Sequence, residues 1–293
     1  MTRAPSSVSA AETVWRAAHA SGRYDRLPDW LYRRQTSTKV TPLMDSHVIS
    51  TGAVDHPGEE AEVRLLEGPQ GRGFELRHAV RVFREYMRAL RALHFVGPCV
   101  PVFGSARIGD GHPYYQLGQE VGANLAREGF VVMTGGGPGL MEAANRGAKA
   151  AGGRTVGCTI ELEYLEPPNA YLDQLVRFRY FFIRKVMLVK YSYGFVILPG
   201  GFGTLDEAFE VATLVNTRKI SDFPLVLLGS DFWNPWLDVM HDTVVRAGAL
   251  NGDELSCFTV SDSPAEAAAL IRDAAMRKFG LAYARRPKRR RWF

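Results

Sequence analysis

The run Leu198-Pro-Gly-Gly-Phe-Gly-Thr-Leu-Asp-Glu207 brings together the means to hold an anion and a carboxylate to work beside it. The apolar run Tyr193-Gly-Phe-Val-Ile-Leu198 before it reads as a buried strand, and Ala208–Val215 after it carries apolar residues at helical spacing. Gly200, Gly201 and Gly203 therefore occupy a strand-to-helix turn, where they remove the side chains that would hold a ligand away from the backbone. A helix N-terminus offers unpaired N–H groups and partial positive charge, which suits a phosphate. Thr204 adds a hydroxyl, and Glu207 is expected in the first helical turn. The combination predicts chemistry on a phosphorylated small molecule. Glycines that merely make a tight turn, with acids that merely complement the helix dipole, are the plainer explanation. The full spacing Pro-Gly-Gly-x-Gly-Thr-x-x-Glu favours the site.

Two further loops of small residues fall at strand ends, Gly104-Ser105-Ala-Arg107 and Thr134-Gly135-Gly136-Gly137-Pro-Gly139. In an open doubly wound sheet, ligands bind beyond the carboxyl ends of the strands where strand order reverses. A strand order of 3-2-1-4-5-6 would bring all three loops to that crevice. Neither G-x-G-x-x-G after the first strand nor G-x-x-x-x-G-K-[ST] is present, which disfavours dinucleotide redox chemistry and P-loop hydrolysis. Arg177, Arg179, Arg184 and Lys185 gather before the fourth predicted strand and suit phosphate or carboxylate. Arg177 and Arg184 are expected on one face of a long helix. Glu207 and Glu210 should share a helix face, with Asp206 pointing into solvent. Glu142, just after Gly139, is a dipole partner or a ligand contact.

These residues need a scaffold, and the pattern from Phe74 onward supplies one. Helices are predicted over 74–93, 113–128, 139–151, 172–190, 204–216, 235–247 and 264–279. The first is amphipathic, with Val80, Phe83, Met87 and Leu90 on one face. Short strands are predicted over 100–103, 130–133, 155–160, 195–198, 224–228 and 257–260. Alternating strands and helices mean an α/β fold, a doubly wound and mostly parallel Rossmann-like sheet in one main domain. Residues 1–73 read as an N-terminal extension and linker, 74–281 as the nucleotide-handling domain, and 282–293 as a basic tail. Within the extension, a short helix over 10–20 and docking by Trp15, Trp30 and Tyr32 are expected, with 51–73 as linker or loop.

The formal net charge of +5 belongs to the tail. Arg285, Arg286, Lys288, Arg289, Arg290 and Arg291 contribute +6, leaving the rest of the chain at −1. No nucleic-acid-binding motif accompanies that cluster, so nucleic acid is not an expected partner. No apolar run reaches the length of a membrane span, and no signal peptide is read at the N-terminus. Cys99, Cys158 and Cys257 are widely separated and read as reduced core thiols of a cytoplasmic protein.

Gly135-Gly-Gly-Pro-Gly-Leu-Met-Glu142, Arg184-Lys185 and Pro199-Gly-Gly-Phe-Gly-Thr-Leu-Asp-Glu207 resemble the motifs of the LOG family, cytokinin riboside 5′-monophosphate phosphoribohydrolases long mislabelled lysine decarboxylases. The resemblance runs roughly from Phe74 to Leu281, and the Phe-Gly-Ser-Ala-Arg107 loop is closer to the longer bacterial branch. It implies cleavage of the N-glycosidic bond of a nucleoside 5′-monophosphate, a cytokinin riboside monophosphate or AMP, giving free base and ribose 5-phosphate. It also implies Arg184 and Glu207 as the catalytic pair and a homodimer or larger homo-oligomer. Gly200, Gly201, Gly203 and Thr204 would hold the 5′-phosphate. Gly135, Gly136, Gly137, Ser105, Glu142, Lys185 and Glu210 would complete the pocket, with no metal or organic cofactor. A molybdenum-cofactor or nucleotide carrier, and a broad nucleotide 5′-monophosphate nucleosidase, are the alternatives. A pyridoxal-phosphate decarboxylase is disfavoured, because no Schiff-base lysine is identifiable.

Overall fold

The computed structural model describes residues 59–161 and 167–279. The expected helix over 10–20, the aromatic residues Trp15, Trp30 and Tyr32, and the basic tail lie outside the described residues. Helices α1 (Glu59–Leu66) and α2 (Arg72–Leu93) lead into β1 (Cys99–Phe103), α3 (Pro113–Arg127), β2 (Val131–Thr134), α4 (Leu140–Ala150) and β3 (Thr155–Ile160). There follow β4 (Gln174–Phe178), α5 (Phe181–Lys190), β5 (Phe195–Ile197), α6 (Phe202–Asn216) and β6 (Leu225–Leu228). The chain continues with α7 (Ser230–Val239), β7 (Phe258–Ser261) and α8 (Pro264–Phe279).

The seven strands form one sheet in the order β4-β3-β2-β1-β5-β6-β7, every pair parallel. The six predicted strands take the expected order, and β4 is an addition at one edge. Strand side chains alternate between two cores, as the two-residue period requires. Cys99 and Phe103 of β1 face the core built with α2, α5 and α6. Val100 and Val102 face the core built with α3, α4 and α8. Cys99 and Cys158 are buried free thiols within these layers. Among the described residues, no helix is long and apolar enough to cross a membrane.

Three expectations need correction. The helix expected over 172–190 is a strand and a shorter helix. β4 pairs with β3 from Val156↔Gln174 to Ile160↔Phe178 and buries Val176 and Phe178 on alternate positions. Asp173 fixes its start by accepting hydrogen bonds from the Thr155 amide (2.9 Å) and from Lys149 (2.7 Å). The segment 51–73 is not linker throughout, since it contains α1 and the start of α2. An eight-residue helix is marginal alone, and α1 is tied to the main body through Glu62, whose carboxylate accepts from the Phe181 amide (3.2 Å). Finally, α2 turns His78, Glu85, Ala89 and Leu93 inward, while Val80 and Phe83 remain exposed. Glu85 is worth burying because it accepts from the amides of Arg179 (2.8 Å) and Tyr180 (3.3 Å).

Candidate active site

The sheet's order reverses between β1 and β5, which lie side by side, and the loops leaving their carboxyl ends are bonded together. The Ser105 amide donates to the Pro199 carbonyl (3.0 Å), and the Ser105 carbonyl accepts from the Leu140 amide (3.0 Å). The loop after β2 is thereby drawn in at the start of α4. Gly139 makes this approach possible: a Cβ there would lie 2.5 Å from the Ser105 carbonyl oxygen, and its φ of +67° disfavours other residues. The Ser105 hydroxyl accepts from the Arg107 amide (3.1 Å), so this side chain shapes its own loop.

Residues that the sequence did not mark fix the second glycine loop. The Thr134 hydroxyl accepts from the Gly136 amide (3.0 Å) and donates to Asn145 Oδ1 (2.7 Å). Asn169 donates to the Gly137 carbonyl (2.9 Å) and to Asn145 Oδ1 (3.1 Å). Such buried networks impose one backbone geometry on a loop with few side chains of its own. The only sequence signal is polar residues within apolar surroundings. Glu142, near the start of α4, accepts a hydrogen bond from the Tyr115 hydroxyl (3.0 Å), a tyrosine also unmarked in the sequence.

The third loop opens α6. Gly201 is the N-cap and the helix begins at Phe202, two residues earlier than expected. Glu207 therefore lies in the second turn rather than the first, and it points inward. The amides of Phe202 and Gly203 fall in the first turn, where helix geometry provides no intrahelical acceptor. Gly200 is required by packing, since a Cβ there would lie 2.1 Å from Thr204 Oγ1. Gly201 and Gly203 have no heavy atom within 4 Å of a virtual Cβ, so packing does not demand glycine at either position. That open space lies beside a helix N-terminus, where an anion would use it.

Behind the loop, Arg184 of α5 and Glu207 of α6 form a buried ion pair, Nη2 to Oε1 at 2.7 Å. The Glu207 side chain is 1% exposed and that of Arg184 is 17% exposed. Each keeps one buried polar atom without a protein partner, Glu207 Oε2 and Arg184 Nε. Unsatisfied buried groups are costly in a structural ion pair and are to be expected where a ligand completes the set. Burial raises the Glu207 pKa and outweighs the opposing pull of Arg184 and Lys185. Lys185 bonds Asp206 (2.7 Å) and Glu210 (2.8 Å). Burial works against its ammonium, but the two carboxylates prevail and its pKa is raised. Asp206, expected to be merely solvated, is thus half of an ion pair.

The structure unites Arg184, Lys185, Glu207 and Glu210, and it unites the loops carrying Ser105, Gly139 and Pro199. It leaves Arg177 and Arg179 apart from them. Both are exposed on β4 and just beyond it, where Arg179 pairs with Glu161 (3.2 Å). Arg177 cannot share a helix face with Arg184, because it lies in a strand. Among the described residues, no group of three or more His, Cys, Asp or Glu side chains is placed to hold a metal ion.

An open parallel α/β sheet with small-residue loops at its switch point and a buried Arg–Glu pair beneath them defines a nucleotide-handling class of protein. Similarity to known proteins narrows it. A family model described as "Possible lysine decarboxylase" matches residues 141–271. The cytokinin riboside 5′-monophosphate phosphoribohydrolase of Mycobacterium tuberculosis is 35% identical over 136 residues, 44% of this chain and 71% of that protein. The protein of the same name from Rhodococcoides fascians is 32% identical over 151 residues, 50% of this chain and 76% of its own length. The pyrimidine/purine nucleotide 5′-monophosphate nucleosidase of Escherichia coli is 29% identical over 182 residues, 58% of this chain but only 39% of that longer protein. The chain belongs to the LOG family.

Proposed function

We propose that the protein hydrolyses the N-glycosidic bond of a nucleoside 5′-monophosphate, releasing the base and ribose 5-phosphate. The observation that carries this reading is the buried Arg184–Glu207 pair, each member holding an unpartnered polar atom, directly behind a glycine-lined helix N-terminus. The 5′-phosphate sits on the α6 N-terminus against Gly201, Gly203 and Thr204, and anchors the sugar. Bond cleavage passes through an oxocarbenium-like state, which the Glu207 carboxylate stabilises while its free oxygen orients water. Water adds to C1′, the C1′–N bond breaks with its electron pair on the base, and the proton lost by water passes through Glu207 to the base. Arg184 binds substrate and stabilises charge on the departing base. Ser105, the Gly135–Gly137 loop and Glu142 close the pocket. Glu210 contacts the ribose hydroxyls or supports Glu207, and Lys185 holds Glu210 in place.

The relatives' names support a cytokinin riboside monophosphate, AMP or a wider range of monophosphates as substrate. The test is chromatographic product analysis with AMP, the other common monophosphates and isopentenyladenosine monophosphate. Free base with ribose 5-phosphate, abolished in Glu207→Gln, is the expected result. Nucleotide bound but never cleaved would overturn it in favour of a carrier. A homo-oligomer is part of the same proposal, supported by the exposed apolar residues Leu76, Val80 and Phe83 at helical spacing on α2. Analytical ultracentrifugation should give a species of at least twice the 32.5 kDa chain mass, and a monomer at micromolar concentration would refute it.

The glycines separate ligand contact from packing. Gly200→Ala should cost about 1–3 kcal/mol, because its methyl collides with Thr204. Gly203→Ala, within α6 and clear of neighbours, should leave thermal stability unchanged or slightly raised. The same change should weaken nucleotide monophosphate binding by about tenfold or more, since the methyl occupies the anion's place. Calorimetric titration checks this, and wild-type affinity in Gly203→Ala would place the phosphate elsewhere.

A further inference from the structure

The helix that carries Arg184 lacks a cap of its own. Tyr180, its N-cap residue, makes no side-chain cap bond, and no acid stands in the first turn of α5. The missing acceptors come from far away in sequence. Glu62 Oε1 of α1 accepts from the Phe181 amide (3.2 Å). Glu85 Oε1 of α2 accepts from the amides of Arg179 (2.8 Å) and Tyr180 (3.3 Å). Glu85 is 7% exposed, so its burial is offset by these bonds and by Arg88 at 3.8 Å. The contact extends into packing, for the Tyr180 ring meets His78 of α2 edge-on at 5.1 Å. Arg184 follows within one turn, its amide donating to the Tyr180 carbonyl (3.2 Å). Both α1 and α2 lie outside residues 141–271, the part matched by the family model.

We infer that Glu62 and Glu85 are positioning residues for Arg184: two carboxylates from the N-terminal helices α1 and α2 pin the start of α5 and thereby set the guanidinium against Glu207. Acidic groups at a helix N-terminus complement its dipole and satisfy its orphan amides. A helix held at its first turn presents the residue one turn later in a fixed place. Reaction geometry is sensitive to such placement, a displacement near 1 Å costing up to about a hundredfold in rate. Burial pushes the Glu62 carboxyl above its ordinary value while the Phe181 amide pulls it down. The inference rests on the role of Arg184 proposed above.

The test uses the full chain and reads both turnover and the Glu207 carboxyl, the latter by ¹³C NMR titration. Glu62→Ala is expected to lower kcat by about tenfold and to raise KM, the two effects that loosening a residue in contact with both substrate and transition state should have. Glu62→Gln keeps an acceptor for the Phe181 amide and should restore most of that loss. In an Arg184→Ala background, Glu62→Ala should change nothing further, as residues acting through one another are not additive. Loosening of Arg184 should also shift the Glu207 titration to higher pH in Glu62→Ala. Glu85→Ala would leave the amides of Arg179 and Tyr180 without their acceptor and is replaced by Glu85→Gln, expected to behave like Glu62→Gln. Wild-type kcat and wild-type Glu207 titration in Glu62→Ala would overturn the inference, as would equal losses with and without Arg184. If no variant or wild type cleaves a nucleotide, the hydrolase reading fails, and the Glu207 titration alone decides the positioning.

Discussion

Glu207→Gln is expected to lower kcat by about a thousandfold while nucleotide affinity stays within a few fold of wild type. The substitution keeps the shape of the side chain and an oxygen for Arg184 Nη2, now 2.7 Å from Oε1. Under the proposed mechanism it removes the negative charge that stabilises an oxocarbenium-like state and the base that takes water's proton. The phosphate cradle proposed on α6 is untouched, so binding should survive. Single-turnover kinetics with a separate binding measurement resolves the two effects. Full activity in a variant that binds normally would remove Glu207 from the mechanism.

The same residue dictates a pH dependence. Burial holds the Glu207 pKa above its ordinary value of 4.5 despite Arg184. The active carboxylate should therefore be lost at a higher pH than for an exposed glutamate, moving the acid limb of kcat/KM upward. Stability follows the opposite course. A carboxyl that binds its proton more tightly folded than unfolded makes the folded state less stable as pH rises from the unfolded pKa through the folded one. Glu207→Gln lacks that contribution. Its stability relative to wild type should thus improve as pH rises through this window, measured by denaturant unfolding at several pH values.

Much of this site was legible in the sequence because glycine spacing and strand–helix alternation are local signals. Alternation implied a parallel sheet, and the order assumed for the six predicted strands, which is the one observed, brings the three loops to one end of the sheet. What escaped was settled by tertiary contact. Gln174–Phe178 carries apolar residues that fit a helix or a strand, and only pairing with β3 decides between them. Glu85 sits in a helix with an apolar stripe at Val80 and Phe83, so its sequence gives no reason to turn it inward. The backbone amides it satisfies lie 94 and 95 residues away. Thr134, Asn145 and Asn169 act through one another, which no local spacing reveals. Glu207 lies one helical turn later than its spacing suggests, because α6 runs through Gly203 and begins at Phe202, where low helix propensity argues for a later start.

Arg184→Ala should abolish most activity and also destabilise the fold, unlike Glu207→Gln. It leaves a carboxylate that is 1% exposed without its 2.7 Å partner. An uncompensated buried charge costs about 3–5 kcal/mol when one member of a pair is removed. The carboxyl can escape part of that cost by taking up a proton, which raises its pKa still further. The loss of stability should therefore be smallest in acid and grow toward neutral pH. Lys185 is poorly placed to substitute, for Asp206 and Glu210 already hold its ammonium at 2.7 and 2.8 Å. Arg184→Lys should recover some stability but little activity, because one ammonium cannot both hold Glu207 and offer a second planar donor such as Nε to a ligand. Thermal unfolding across pH, alongside kcat and KM, distinguishes the cases. Unchanged kinetics in a destabilised Arg184→Ala would reduce the arginine to a counter-ion, whereas raised KM and lowered kcat together assign it to both substrate and transition state.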